Sequence, residues 1–256
     1  FMRLATCLIL LTLPVLFLST TVNNKKCILV FAKTAGFRHT SIPKGKEALL
    51  LMGKQHNFIV DTTEDASLFT TKNLRKYDAV VFLSTTGDVL NNEQQAAFEQ
   101  YIRSGKGFVG IHAATDTEYE WPWYTKMVGR TFHIHPEIQT AELTVTNRKF
   151  PGLERMPDRF LWTDEWYEFG AERIKGLNYI LAVDEQTFNP YAKWGEKETK
   201  GMGKFHPIAW YHDYDGGRAF YTALGHMPAT YSDALFLEHI YGGLYWAATG
   251  KGLRKK

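Results

Sequence analysis

Two hydrophobic periods alternate along this chain. Residues 27–32 (CILVFA) are a short unbroken apolar run, the pattern of a strand buried on both faces. Residues 78–83 (DAVVFL) and 107–111 (GFVGI) repeat that pattern, and 57–61 is a weaker instance. Helical spacing lies between them. Residues 42–54 read as a helix, with Ser41 as N-cap and Pro43 in the first turn, where a missing N–H costs nothing. A helical turn is expected near 73–76. Asn92 is expected to cap a helix that runs to about Arg103 and stops at Ser104-Gly105. Strands and helices alternating in this way predict βαβ units, a mostly parallel sheet and right-handed crossovers, hence an α/β fold. Ligands of such sheets bind beyond the carboxyl ends of the strands. Three polar loops fall there, 33–41, 84–88 and 112–117, and they should face one crevice.

The second half is less regular. Residues 143–147 and 179–183 read as strands, and 208–211 and 218–223 as a hairpin across Asp215-Gly216-Gly217. Residues 232–249 form a closing helix with an apolar side at Leu237, Ile240, Tyr241, Leu244 and Tyr245. The stretch 118–204 reads as long loops and short elements decorating the sheet, so 23–256 is expected to be a single domain. At the N-terminus, Arg3 precedes an apolar run over 5–17 and then Ser19-Thr20-Thr21. That is the form of a secretory signal over 1–22 and implies a periplasmic or extracellular protein. The run is shorter than a membrane span needs, so no stable span is expected after cleavage; an uncleaved anchor is the alternative.

Composition narrows the function classes. The chain has 256 residues and a net charge of +3, with no basic stripe interleaved with aromatics, which argues against a nucleic-acid partner. The basic residues cluster only at the end, at Lys251, Arg254, Lys255 and Lys256. Aromatics reach 14%, which suits a well-filled core or a cleft that stacks on sugar rings. Only Cys7 and Cys27 are present, and signal removal leaves Cys27 alone, so neither a disulfide nor a cysteine metal cluster is expected. GxSxG, GxxxxGK[ST] and GxGxxG motifs are absent. A homo-oligomer is compatible with all of this.

Histidines carry the candidate chemistry. His39 (GFRH), His112 (GIHAATDT) and His226 (LGH) follow predicted strands near their carboxyl ends. Three imidazoles in one crevice would suffice for acid–base work near neutral pH. Each could equally be a hydrogen-bonded structural residue. His133 and His135 (FHIHP) would share one face of a strand and could suit a divalent metal, whereas in a loop their spacing means little. His206 before Pro207 reads as a turn residue. Asp116 either orients an imidazole, acts as a base or caps a helix. In DEWYEF, alternation puts Glu165 and Tyr167 on one face and Asp164 on the other. Arg38 and Arg218 could clamp a polar ligand. No tight HxxxH or HExxH spacing supports a metal centre, so no cofactor is predicted, with a divalent metal left possible.

Taken in order, GFRH, GIHAATDT, FHIHP, DEWYEF and PIAWYHDYDGGRAFYTALGH resemble the trehalose-utilisation (ThuA-like) family over nearly the whole chain after the signal. The resemblance implies a flavodoxin-like, three-layer core of the class I glutamine amidotransferase-like type. In that superfamily an elbow after a strand holds a nucleophilic cysteine, and here His112 takes that position, so amidotransferase chemistry is not expected. A carbohydrate-processing enzyme is expected instead, acting on a glycoside or a 3-keto sugar by hydrolysis, elimination or isomerisation. His112, His226, Asp116 and Glu165 are its candidate catalytic groups. Arg38, His39, His133, His135, Tyr167, Trp210 and Arg218 are its candidate substrate contacts. A non-catalytic sugar-binding module and a metal-dependent hydrolase are the alternatives.

Overall fold

The computed structural model describes residues 25–170 and 173–253. The expected signal segment and the last three residues of the basic cluster lie outside them. In chain order the elements are β1 (Cys27–Phe31), α1 (Ile42–His56), β2 (Ile59–Thr63), α2 (Thr71–Leu74), β3 (Ala79–Leu83), α3 (Asn92–Arg103), β4 (Gly107–Ile111) and α4 (Pro122–Val128). Then follow β5 (Gln139–Val145), β6 (Arg159–Asp164), β7 (Asn178–Asp184), β8 (Ala192–Trp194), β9 (Lys197–Thr199), β10 (Pro207–Tyr214), β11 (Gly217–Thr222) and α5 (Ala234–Thr249). Among the described residues, nine strands share one sheet in the order β2-β1-β3-β4-β11-β10-β7-β5-β6, and β8 pairs only with β9. The sheet is parallel from β2 through β11 and antiparallel beyond.

Alternation along the strands shows which helices cover which face. A Cβ at Gly107 would meet Ala247 of α5, and one at Gly45 of α1 would meet Leu83. The adjacent residues Phe108 and Phe82 point the other way, onto Phe98 of α3 and Tyr124 of α4. So α1 and α5 cover one face and α3 and α4 the other, making three layers. With both faces covered, β1, β3 and β4 are apolar and almost wholly buried. Each fully buried Phe there contributes about 1.5–3 kcal/mol.

Several boundaries differ from the sequence reading. Asn91, not Asn92, caps α3, in a reciprocal capping box with Gln94. Ser41 is itself helical and makes no cap hydrogen bond. The second strand begins two residues late because α1 runs on to His56 and Asn57 closes it in the left-handed conformation (φ +61°). Asp233, one residue past Ser232, caps α5 through Leu235 and Phe236. The hairpin turns on two residues, Asp215 and Gly216, both at positive φ, as a tight turn between twisted strands requires. The largest correction concerns 118–204. The strands expected at 143–147 and 179–183 are present as β5 and β7, but as members of the main sheet, and the stretch adds α4 and a third main-sheet strand, β6, that the reading as loops and short elements left out.

At the carboxyl ends of the parallel strands, the loops after β1, β3 and β4 lie side by side. They are joined by isolated bridges between Thr34 and Thr86 and between Gly87 and Thr117.

Candidate functional site

His112 is the first residue past β4 and is fully buried. It takes φ +54°, a left-handed conformation that costs a non-glycine residue about 1–2 kcal/mol. Such a sharp strand exit resembles the elbow that presents a nucleophile above an α/β sheet. Its surroundings hold it there. The Tyr221 hydroxyl donates to the His112 carbonyl at 2.8 Å, and Gly110 leaves room for Tyr221 and Ala114, to which an added Cβ would come within 3.0 and 3.1 Å. The ring Nδ1 lies 2.7 Å from the Ala223 carbonyl. A carbonyl only accepts, so Nδ1 carries a proton, and in the neutral ring the lone pair is on Nε2. That lone pair faces the Tyr167 hydroxyl at 3.0 Å and His226 Nδ1 at 3.3 Å.

Asp164 and Glu165 arrive from the far edge of the sheet. β6 ends at Asp164, which is fully buried. Its Oδ1 accepts from the backbone N–H groups of Glu165 (3.0 Å) and His226 (3.1 Å), and its Oδ2 accepts from Gly225 (3.0 Å). One carboxylate therefore ties the end of β6 to the loop after β11. Burial pushes its carboxyl above the usual value, while the His112 ring and the three N–H donors pull it back toward the charged form.

Glu165 then sits among imidazoles. Its Oε2 lies 2.9 Å from His226 Nδ1 and 3.4 Å from His112 Nε2, and its Oε1 lies 3.5 Å from His135 Nε2. Burial alone would raise its carboxyl, but the His112, His226 and His135 rings outweigh burial and hold it far below the usual carboxylate range. His39, from the loop after β1, closes the group. Its ring stands edge-on to His112 (4.6 Å between centroids) and to His226 (5.3 Å). Burial, then the neighbouring His112 and His226 rings, lowers its pKa to about 3. His226 goes the other way: burial lowers it, but the Glu165 and Asp164 carboxylates outweigh burial and raise it. Burial lowers His135 and raises Asp116, whose Oδ1 accepts from Tyr119 at 2.7 Å. His39, His112, Glu165 and His226 each offer one ligand atom within 4.8 Å of the others, so these four could hold a metal ion.

Of the residues expected at the site, the structure thus brings together His39, His112, His135, Glu165, Tyr167 and His226, with Asp116 closing the turn that His112 opens. His133 is partly exposed and faces Glu168 at 3.9 Å. Three others lie elsewhere. Arg38 points outward in a two-pronged pair with Glu64 (2.9 and 3.0 Å). Trp210 is fully buried beneath the rim, donating to the Val128 carbonyl and packed on Tyr221. Arg218 pairs in register with Gly107 at the amino end of the sheet, where it donates to the Ala247 and Gly105 carbonyls. His206 is a brace between Glu185 (2.7 Å) and the Tyr167 carbonyl (2.9 Å).

Sequence reasoning missed Asp164 as a clamp, and it passed over two exposed aromatics at the rim. Phe37 is 65% exposed and stands edge-on to His39, and Trp194 is 44% exposed and stands edge-on to His135. Phe37 was visible inside GFRH. A groove of about 500 Å³ lined by His135, Tyr191 and Trp194 opens beside the cluster.

The sequence model of the ThuA family, described as trehalose utilisation, matches residues 27–247. Among solved structures the fold matches a ThuA-like protein from Parabacteroides merdae ATCC 43184 at 21% identity and TM-score 0.71, covering 91% of this chain and 93% of that one. A ThuA-like protein from Bacteroides uniformis ATCC 8492 matches at 20% identity and TM-score 0.71, covering 87% and 91%. A GMP synthase protein from Thermoplasma acidophilum matches at 9% identity and TM-score 0.52, covering 88% and 96%. The architecture is therefore the α/β fold of the glutamine amidotransferase-like and ThuA-like structures. No curated protein matches the sequence.

Proposed function

The chain belongs to the ThuA family of trehalose utilisation, and we propose that it is an exported enzyme that transforms a glycoside or a 3-keto sugar at the rim where His39, His112, Glu165 and His226 meet. One observation carries the proposal: the buried Glu165 carboxyl group lies within 3.5 Å of three imidazoles at the carboxyl end of a parallel sheet, where this architecture binds ligands. A cluster whose members are driven to opposite protonation preferences is suited to moving protons.

A 3-keto group acidifies the adjacent C2 proton. In an elimination, a base of the rim takes that proton, the C2–H electrons form the C1–C2 double bond, the C1–O bond breaks, and an acid protonates the departing oxygen. The imidazoles and carboxylates of the rim supply base and acid. The enolate oxygen also needs an electrophilic partner, a role that Arg218 cannot fill from the opposite end of the sheet. Amidotransferase chemistry is not part of the proposal, because the one cysteine among the described residues, Cys27, begins β1 at the other end of the strands.

Incubation with a panel of glycosides and 3-keto glycosides, followed by mass spectrometry, tests the proposal. The wild type is expected to release aglycone from at least one class, and Glu165→Gln to do so about 100-fold more slowly. Saturable sugar binding with no product from any member would favour a binding module, for which the exposed faces of Phe37 and Trp194 are suited.

A further inference from the structure

We infer that His39, His112, Glu165 and His226 form a binding site for one divalent transition-metal ion. The inference deepens the proposed function, in that the ion would be the electrophile that Arg218 does not provide, but it stands on geometry that involves no sugar.

The first support is spacing. Zinc-like ions bind imidazole nitrogen and carboxylate oxygen at about 2.0–2.2 Å, so adjacent ligands of a tetrahedral site are roughly 3.3–3.5 Å apart. His112 Nε2 lies 3.3 Å from His226 Nδ1 and 3.4 Å from Glu165 Oε2, and His226 Nδ1 lies 2.9 Å from the same oxygen. The His39 donor completes a set that lies within 4.8 Å throughout.

The second support is unmet bonding. Glu165 Oε2 is buried and, despite its close nitrogens, has no hydrogen bond of acceptable geometry. His39 Nδ1 is buried with no hydrogen-bond partner either. A buried carboxylate oxygen without a donor costs about 1–3 kcal/mol or more, and a cation among these atoms would relieve it.

The third support is the outer shell. Metal-binding histidines commonly donate their other ring N–H to a carbonyl, which fixes the tautomer and aims the free lone pair. His112 does this through Nδ1 to Ala223 at 2.7 Å, and its Nε2 faces His226 Nδ1 and Glu165 Oε2. Glu165 is oriented from behind, with Oε1 toward His135 and its backbone N–H on Asp164. The Tyr167 hydroxyl, which donates to His112 Nε2, is the group that must yield to the ion. With these four as ligands, His135 and Asp116 remain beside the site as groups that can carry protons.

The set also fits a transition metal better than calcium or magnesium, since three of four donors are imidazoles. The sequence hid it because its four members come from the loops after β1, β4, β6 and β11, with no two close enough in the chain to make a motif.

The test is direct. The full protein, purified without chelator, is analysed for metal by plasma mass spectrometry. It is then stripped with a chelator and titrated with Zn²⁺ and with Co²⁺ by calorimetry and visible absorption. One ion per chain is expected, with a Co²⁺ spectrum of four- or five-coordinate form. Glu165→Gln and His226→Ala should each weaken Zn²⁺ binding more than about 100-fold, beyond what loss of an outer partner costs. His133→Ala, a partly exposed histidine facing Glu168, should not change it. Circular dichroism establishes that each variant is folded, and His39→Asn serves as the ligand variant if His226→Ala is not. Failure of the wild type to bind Zn²⁺ or Co²⁺ at one ion per chain overturns the inference. So does binding that survives undiminished in both Glu165→Gln and a folded histidine variant. Stoichiometric binding with no activity on any sugar would sustain the inference and count only against the proposed substrate.

Discussion

Asp164→Asn should loosen the site without touching any of the four clustered residues' side chains. The wild-type carboxylate accepts from three backbone N–H groups, two on Oδ1 and one on Oδ2, and the Trp162 indole N–H adds a fourth, longer contact of 3.4 Å to Oδ2. Asparagine keeps one acceptor oxygen and puts an NH₂ where the other was. Whichever way the amide turns, one or two buried backbone donors then face a donor. Each such loss costs about 1–3 kcal/mol, so the variant should be less stable by roughly 1–6 kcal/mol. Urea unfolding at constant m-value measures it. The loss should also reach His226, whose backbone N–H is one of the freed donors. The Glu165 and Asp164 carboxylates raise the His226 pKa, so in the variant it should fall toward the ordinary histidine value, read from the ring resonances by NMR in chelator-treated protein. A purely structural role at β6 would lower stability and leave that titration in place. A variant within about 0.5 kcal/mol of wild type, with His226 titrating as before, would refute the clamp.

Three further outcomes are expected. His239 is fully buried, both ring nitrogens lack partners, and burial lowers its pKa to about 3. A depressed histidine contributes stability that is present above the unfolded value of about 6.5 and lost as pH falls toward the folded one. Stability should therefore drop by about 1 kcal/mol from this residue between pH 7 and 5.5, and unfolding of His239→Leu should lack that component. Arg218→Met should lower stability by about 1–2 kcal/mol, because its two donations to carbonyls at the amino end are lost, while Zn²⁺ affinity and kcat/KM stay within about twofold. Phe37→Ala should raise KM for an active sugar several-fold with little change in kcat, since a stacking ring at the rim is worth about 1 kcal/mol, and an unchanged KM would remove it from the sugar contacts.

What the sequence made legible follows from what local pattern encodes. The strands β1, β3 and β4 were plain because helices cover both their faces, which makes them continuous apolar runs. In a parallel sheet the carboxyl ends form one rim, so residues just past such runs could be grouped without knowing any contact. His39, His112 and His226 were reachable in this way. The same reasoning, applied strictly, would have set Arg218 aside: it opens a predicted strand, so it belongs to the amino end. Trp210 fails for a related reason, since the middle of an interior strand is covered on both faces. Arg38 neighbours His39 in an irregular loop, where adjacent side chains diverge, and Glu64 draws it outward.

The antiparallel half resisted for a different reason. β6 is an edge strand that alternates between exposed and half-buried residues, a weak signal beside β1 or β3. Its place depends on the pairings β10-β7 and β7-β5, between strands that are not neighbours in the chain and that no local period specifies. Yet its last residue and the next one, Asp164 and Glu165, supply both the clamp and the carboxylate of the cluster. Alternation assigned these two to opposite faces, which is also how they divide their work: Asp164 toward the backbone of Gly225 and His226, Glu165 toward the imidazoles. The site thus joins three imidazoles that a parallel sheet places together by its topology to one carboxylate that arrives only after the whole sheet is assembled. Unfolding that begins at the β6 edge should then withdraw Glu165 before it disturbs His112. Hydrogen exchange can test this order: the N–H groups of Gly225 and His226, held by Asp164, should open at lower free energy than those of β4, and protection equal to that of β4 would show the edge and the core to be one cooperative unit.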